Sequence, residues 1–403
     1  MAPEKECYNT LAEGVINQTR EVIETFGARP PASVGERNAM FHIAEGLKPF
    51  ADEPVKLEEF KVAPIAFFRM QMVGGILGLL ALASYWVSPA IALSVSLLPI
   101  MVQYFQLLRY RLFLDPFFSK STSLNLSATL KPEGEIKNRI ILNAHPDAAY
   151  EWRYNYYFNK RFSLMVAFML MGMFFTPLIC GLGWWFEHIG NEELKRYCGL
   201  GLLLFLPGSL LAIFFNNMKV VAPGANDNLS GVFIHTTIFK ILAQEKRLAN
   251  TEVMVVLTGC EEAGLRGAKV WAKLHKEEFG GPETMVLTLD TIRDLDHMKV
   301  YAWDMNGTVS HDRECCKLVQ EAGKKAGLDL PFGTIFLGSS DAAAFTQEGF
   351  RCAALAAMDP APAYYYHTRH DDWRIMDKNC IARALEIVYR TIKMSDIKSN
   401  SDT

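Results

Sequence analysis

Residues 252–275, EVMVVLTGCEEAGLRGAKVWAKLH, contain one complete α/β step. Glu252–Thr258 is β-branched and apolar, so it predicts a buried strand. The run ends at Gly259-Cys260-Glu261-Glu262, and Gly264–His275 then takes helical periodicity. The same pattern recurs on both sides. Arg139–Leu142 predicts a strand ending at Asn143-Ala144-His145, and Met285–Leu289 predicts one ending at Asp290. Further strands are expected at Val55–Val62, Ser123–Leu130 and Cys352–Ala357. Helices are expected at residues 8–28, 36–48, 229–242, 313–326 and 379–393, with a Gly/Pro break at Gly27–Ser33. Strands alternating with helices define an α/β fold, with a mixed, mostly parallel sheet flanked by helices. In such sheets, ligands bind beyond the carboxyl ends of the strands. His145, Glu261-Glu262 and Asp290 all fall at that edge.

Four runs interrupt this pattern: Met70–Val87, Ala90–Leu108, Phe162–Phe186 and Cys198–Phe215. None contains Asp, Glu, Lys or Arg. Soluble helices of this length carry a polar stripe, and about 20 apolar residues cross a bilayer. The runs therefore predict two transmembrane hairpins forming a four-span α-helical bundle. The expected layout has residues 1–66 opening the main domain, 67–111 as the first hairpin and 112–160 as main domain again. Residues 161–217 form the second hairpin, and 218–403 the rest of the main domain. The lipid bilayer is the expected partner, and a homo-oligomer is compatible with paired hairpins. Arg69, Arg109, Arg111, Arg153, Lys160, Arg161 and Lys219 flank the spans on the main-domain side, whereas Glu187, Glu192 and Glu193 accompany Lys195 and Arg196 beyond them. The positive-inside rule then predicts a multi-pass cell (inner, cytoplasmic) membrane protein with its main domain in the cytoplasm. Residues 150–161, YEWRYNYYFNKR, mix aromatics with cations, as suits a membrane–water interface.

Composition narrows the rest. The chain has 403 residues, is half hydrophobic and carries a net charge of −3, which gives no reason to expect nucleic acid. Its eight cysteines show neither CxxC pairs nor a disulfide spacing, and the polar N-terminus MAPEKECYNT is not that of a signal peptide.

The polar motifs, in chain order, are His145-Pro-Asp147, Gly224-Ala-Asn-Asp227-Asn-Leu-Ser-Gly231, Glu261-Glu262, Asp290 and Tyr366-His367-Thr368. Imidazoles and hard carboxylates in this number suit a pair of divalent ions, with a spare carboxylate to move protons. Their order and context resemble the M28 family of zinc aminopeptidases. The lead-in Phe26-Gly27-Ala28-Arg29-Pro30 through Glu36-Arg37 is similar as well, and so is Gly338-Ser339-Ser340-Asp341. The resemblance covers nearly all of the chain outside the hairpins. It implies the zinc-aminopeptidase fold and two Zn²⁺ per chain. His145 and Asp290 would hold one ion, Glu262 and His367 the other, and Asp227 both. It further implies Glu261 as the general base for a metal-activated water, Tyr366 as the oxyanion donor and Asp147 as the residue orienting His145.

Two departures stand out. The second hairpin separates His145 from Asp227, where the family has a short loop, and Ala342 stands where many members have histidine. The expected function is a membrane-embedded dinuclear zinc metallohydrolase that cleaves an amide or peptide bond. Its expected substrate is an amphiphilic peptide or a lipid-linked amide. The alternatives are a single-zinc acyl transferase like the glutaminyl cyclases, or a non-catalytic receptor or scaffold. His370, Asp371 and Asp372 are expected to order His367, Cys260 to pack, and His275, His297 and His311 to lie on the surface.

Overall fold

Every residue of the strand Thr251–Leu257 is buried, as a strand with neighbours on both edges and helices on both faces requires. The computed structural model describes residues 5–281, 283–361 and 363–401. The chain divides into two units. A sheet unit comprises Met1–Pro64, Lys120–Ala149 and Val221–Thr403; a helical unit comprises Ile65–Ser119 and Tyr150–Val220.

The strands in chain order are β1 (Lys56–Val62), β2 (Ser121–Leu130), β3 (Asn138–Ala144), β4 (Tyr150–Trp152), β5 (Asn216–Val221), β6 (Thr251–Leu257), β7 (Thr284–Ile292), β8 (Met298–Asp304), β9 (Val309–Ser310), β10 (Phe332–Thr334) and β11 (Arg351–Ala357). The main sheet runs β1-β2-β6-β3-β7-β11-β8-β10, with β9 on β8. The central strands β6, β3, β7 and β11 are mutually parallel, while β2 and β8 run against them. This is the expected mixed, mostly parallel sheet.

Alternation divides the two faces. Ile140, Leu142, Val253, Val255 and Leu257 join one core, beneath the helices Lys5–Phe26, Ser230–Gln244, Arg313–Lys325 and Lys378–Ser401. The other face takes Arg266–Phe279 and Asp341–Gln347, which meet where the Trp271 and Phe345 rings lie 5.7 Å apart.

In the helical unit, four helices are long and apolar enough to cross a membrane: Ala66–Ser84, Pro89–Leu108, Arg153–His188 and Glu192–Ile213. The second is α-helical to Val102 and continues as a π-helical segment, Gln103–Leu108. The fourth is broken by a 3-10 turn at Leu203–Phe205, before Pro207. Tyr85 Oη donates to Lys195 O at 2.7 Å, which ties the two hairpin turns together. Glycines allow the close packing: a Cβ on Gly75 would reach 2.5 Å from Ser209 O, and one on Gly183 would overlap the Tyr85 hydroxyl.

The unit boundaries differ from the expected 112–160 block. Residues 112–119, and the chain from Tyr150 onward, group with the helices. The reason is pairing: β4 pairs with β5, Arg153 N donates to Phe215 O at 3.0 Å, and Tyr154 Oη donates to Leu211 O at 2.9 Å.

Candidate metal centre

β3 ends at Ala144, which leaves His145 at the carboxyl edge of the sheet. Its Nε2 lies 3.5 Å from Asp227 Oδ1 and 3.7 Å from Glu261 Oε2. Asp227 sits in the turn Ala225–Leu229, which leads into the helix Ser230–Gln244. Gly224 starts that turn at φ +67, where a Cβ would reach 2.7 Å from Ala148 Cβ and 2.9 Å from Arg29 Nη2. Only glycine suits both the angle and the space. The other oxygen of Asp227, Oδ2, lies 3.1 Å from His367 Nε2, which is itself 3.2 Å from Glu262 Oε2. Two clusters result, His145–Asp227–Asp290 and Asp227–Glu262–His367, each with its ligand atoms within 4.8 Å of one another. Asp227 belongs to both. The structure thus brings together all five residues expected as ligands, with Glu261 beside them.

Further residues hold these groups in place. The Asp147 carboxylate accepts from Glu261 N and Glu262 N, each at 3.1 Å. It lies 3.5 Å from His145 Nδ1, and the Asp147 carbonyl lies 3.3 Å from the same nitrogen. Its reach therefore extends beyond His145 to the backbone of the acid pair. Asp371 N donates to Thr368 O at 3.0 Å, next to His367. Its carboxylate also accepts from Asn226 N, Asn226 Nδ2 and Asp227 N, at 2.9, 2.7 and 3.1 Å, so it shapes the Asp227 turn as well.

Arg29 is fully buried and spans the two ends of the second insertion. Nε donates to Pro146 O at 2.9 Å, and Nη2 donates to Pro223 O at 2.6 Å and Gly224 O at 3.3 Å. Glu36 accepts from Cys260 N and Ala32 N, both at 2.7 Å, and from Ser123 Oγ at 2.9 Å. Both residues lie in the quoted lead-in motif, but their roles were not legible there.

His311 corrects a surface expectation. It is buried, with Nε2 3.3 Å from Asp304 Oδ2 and Nδ1 2.8 Å from Thr346 Oγ1. The neighbouring strands β8 and β9 were not foreseen. Asp304 also accepts from Ser340 N and Oγ, which fixes the start of the helix that places Asp341 against Thr258. His275 is partly buried on Glu58, its Nε2 3.0 Å from Oε2; His297 is partly exposed, 4.0 Å from Asp359.

Burial pushes the Glu261 carboxyl well up; His145 opposes this, while Asp341, Asp290 and Asp147 add to it. Burial, Asp227 and Glu261 push Glu262 up as well. Asp290 rises to about 7, through burial and then Asp227. Burial also pushes Asp227 up, but the hydrogen bond and charge of His367, with His145, outweigh it and leave Asp227 low. Tyr366, stacked on His367 at 4.0 Å between centroids, is pushed well up by burial and by Asp227 and Glu262. It stays a phenol and can donate a hydrogen bond.

Two imidazoles thus face a crowd of buried carboxylates. His145 Nε2 and Glu262 Oε1 are buried without hydrogen-bond partners among the described residues. Buried polar atoms are normally satisfied, and crowded carboxylates resist ionising together. Divalent cations held by N and O donors would satisfy both demands, so the residues present fit a metal.

Fold and site together place a candidate metal centre at the carboxyl edge of a mixed sheet. Residues 213–392 match the model of Peptidase family M28. Solved structures share the fold across nearly the whole chain. An aminopeptidase from Aneurinibacillus sp. strain AM-1 is 15% identical, with 95% of this chain and 93% of that one covered and a TM-score of 0.57. A zinc aminopeptidase from Bacillus subtilis is 14% identical, with 95% of each chain covered and the same score. A glutaminyl cyclase from Bacteroides thetaiotaomicron is 14% identical, with 98% and 99% covered and a score of 0.56. No curated protein matches.

Proposed function

We propose that this protein is a dinuclear zinc amide hydrolase of the aminopeptidase kind. The observation that carries the reading is the position of Asp227, whose two oxygens face His145 and His367 and which belongs to both candidate clusters. His145 and Asp290 would hold one zinc, Glu262 and His367 the other, and Asp227 both. When bound, the ions supply Lewis acidity and make water at the site more acidic.

Glu261 completes neither cluster, so its carboxylate is available to take the proton of the attacking water. The water oxygen adds to the amide carbon, the C–N bond breaks, and Glu261 returns the proton to the leaving nitrogen. Tyr366 donates its O–H to the tetrahedral oxyanion. Asp147 and Asp371 hold the backbones that carry Glu261, Glu262 and Asp227.

The helical unit spans a membrane in this reading, with the sheet unit on the cytoplasmic side. The substrate is an amphiphilic peptide or a lipid-linked amide. Support comes from the four apolar helices and from the chain path: it leaves the sheet unit at Ala149 and returns at Val221, close in sequence to His145 and Asp227.

The test counts zinc per chain and measures amide hydrolysis by wild type and Glu261→Gln. The expected result is two zincs in both proteins, with hydrolysis reduced roughly 10²- to 10⁴-fold in the variant. Unchanged hydrolysis in the variant would refute Glu261 as base. One zinc, with cyclisation of N-terminal glutamine in place of hydrolysis, would establish the glutaminyl-cyclase-like alternative. A preference for short, water-soluble aminoacyl amides over every lipidated analogue would sink the amphiphilic substrate.

A further inference from the structure

The two ends of the helical unit differ in how their charges are matched. Phe162–His188 has 27 residues, about 40 Å of helix, which is enough to reach from one face of a bilayer to the other. At the end with the two hairpin turns, Lys195 Nζ lies 2.7 Å from Glu192 and 3.3 Å from Glu187, and Tyr197 Oη donates to Glu193 at 3.0 Å. Lys195 is thus paired inside the protein, and Arg196 shares that end with three glutamates, Glu187, Glu192 and Glu193, so two cations stand against three carboxylates there.

At the opposite end the helices enter and leave the unit. Arg109, Arg111, Lys160, Arg161 and Lys219 reach the surface there, and none has a carboxylate partner among the described residues. The two carboxylates at this end, Asp115 and Glu151, are both buried and engaged by Gln106 and Asn217. Exposed aromatics stand among the cations: Phe117 is 81% exposed, Tyr157 58% and Phe158 47%. The segment Arg153–Phe158 that carries the last two leads directly into the turn bearing Lys160 and Arg161.

Aromatic rings favour the headgroup level of a bilayer. Unpaired cations beside them attract a negatively charged leaflet. We infer that this end of the helical unit is a binding surface for anionic phospholipid headgroups, with Arg109, Arg111, Lys160 and Arg161 as its principal cations. The inference rests on the membrane reading proposed above and adds the class of lipid. Phe117, Tyr157 and Phe158 sink to the acyl boundary, and the cations meet phosphates. Lys195 is already paired and does not contribute.

The experiment uses the full-length protein in neutral detergent, titrated with dioleoyl-phosphatidylglycerol, dioleoyl-phosphatidylcholine or glycerol phosphate, with thermal unfolding as readout. Phosphatidylglycerol should raise the unfolding midpoint; the zwitterionic lipid and the soluble headgroup should not. The variant Arg109→Gln/Arg111→Gln/Lys160→Gln/Arg161→Gln should bind phosphatidylglycerol roughly a hundredfold or more weakly, at about fivefold per cation near a charged surface. Lys195→Gln/Arg196→Gln should bind as wild type does. If the fourfold variant does not elute as a folded protein on gel filtration, Lys160→Gln/Arg161→Gln serves instead, with an expected loss of roughly tenfold or more.

Equal responses to the two lipids, or unweakened binding by the variants, overturn the inference. A response to glycerol phosphate as strong as that to phosphatidylglycerol does so too, since the surface would then be a soluble-phosphate site. Alkaline carbonate extraction separates the two failures. Release of wild type from membranes overturns the membrane reading itself, whereas retention without lipid preference overturns only the lipid class.

Discussion

The sheet unit buries what proteins usually expose, and the helical unit exposes what proteins usually bury. In the first, Asp227, Glu261, Glu262 and Asp341 are withdrawn from water around two histidines. In the second, Leu164, Phe174, Trp185 and Leu204 are each at least half exposed. Each inversion carries a free-energy penalty that the unit's own residues do not remove. The difference lies in what would remove it. The acidic pocket calls for compact positive charge, delivered at a point. The apolar helices call for an extended apolar solvent around their whole girth. In the reading proposed above, zinc and lipid fill those two needs, and the two units should therefore fail independently.

Asp227→Asn is the most severe way to test that independence. It removes a charge common to both metal clusters, so zinc content should fall for both ions together. Hydrolysis should drop on the order of a thousandfold, about 4 kcal/mol of barrier, while the helical unit keeps its detergent-resistant helicity. Unaltered zinc content would overturn the shared role of Asp227.

Arg29→Met should come next. It leaves Pro146 O and Pro223 O without their donor and strands part of the negative charge of Asp147 and Asp371. Unfolding of the sheet unit should become easier by about 3 kcal/mol, and zinc should be lost to a competing chelator roughly 10- to 100-fold more readily. A variant with normal zinc retention would reduce Arg29 to a purely structural clasp.

Gly183→Val acts on the other unit and has the smallest expected effect. Its side chain would run into Tyr85, costing about 1–3 kcal/mol of helix packing, measured as a lower unfolding midpoint in detergent. Zinc content and the pH profile of hydrolysis should not change. If zinc were lost here, the two units would not be independent.

The features legible in the sequence were those encoded locally. Buried parallel strands read as continuous apolar runs, as in residues 253–257, and their polar ends marked the ligand edge. The apolar helices were conspicuous for the same reason. Features dependent on distant partners were not legible. Arg29 meets carbonyls at 146 and 223, and Asp371 meets the backbone at 226 and 227; no local pattern announces such pairs. β8 is hard to read because its burial is patchy, and the large rings of Tyr301 and Trp303 stand at its less buried positions, so apolar and polar residues do not alternate cleanly. With β8 unseen, His311 looked like a surface residue. Asp147 lies two residues after His145 in sequence, whereas its shortest bonds reach across to the backbones of Glu261 and Glu262.

Both helical hairpins are inserted where the host chain is already paired with itself. Val62 faces Ser121 across the β1–β2 ladder, and Ala222 N donates to Ala149 O at 2.9 Å. Each insertion therefore occupies the place of a tight turn. Closing a longer loop across such a seam adds only about 0.6 kcal/mol per doubling of length, and no strand has to change register. The seams are exchange points, where a lineage can swap a surface turn for a helical hairpin, or swap it back, while His145 and Asp227 keep their spacing in three dimensions. Environment and reaction are then inherited as separate modules, joined at two pairs of residues.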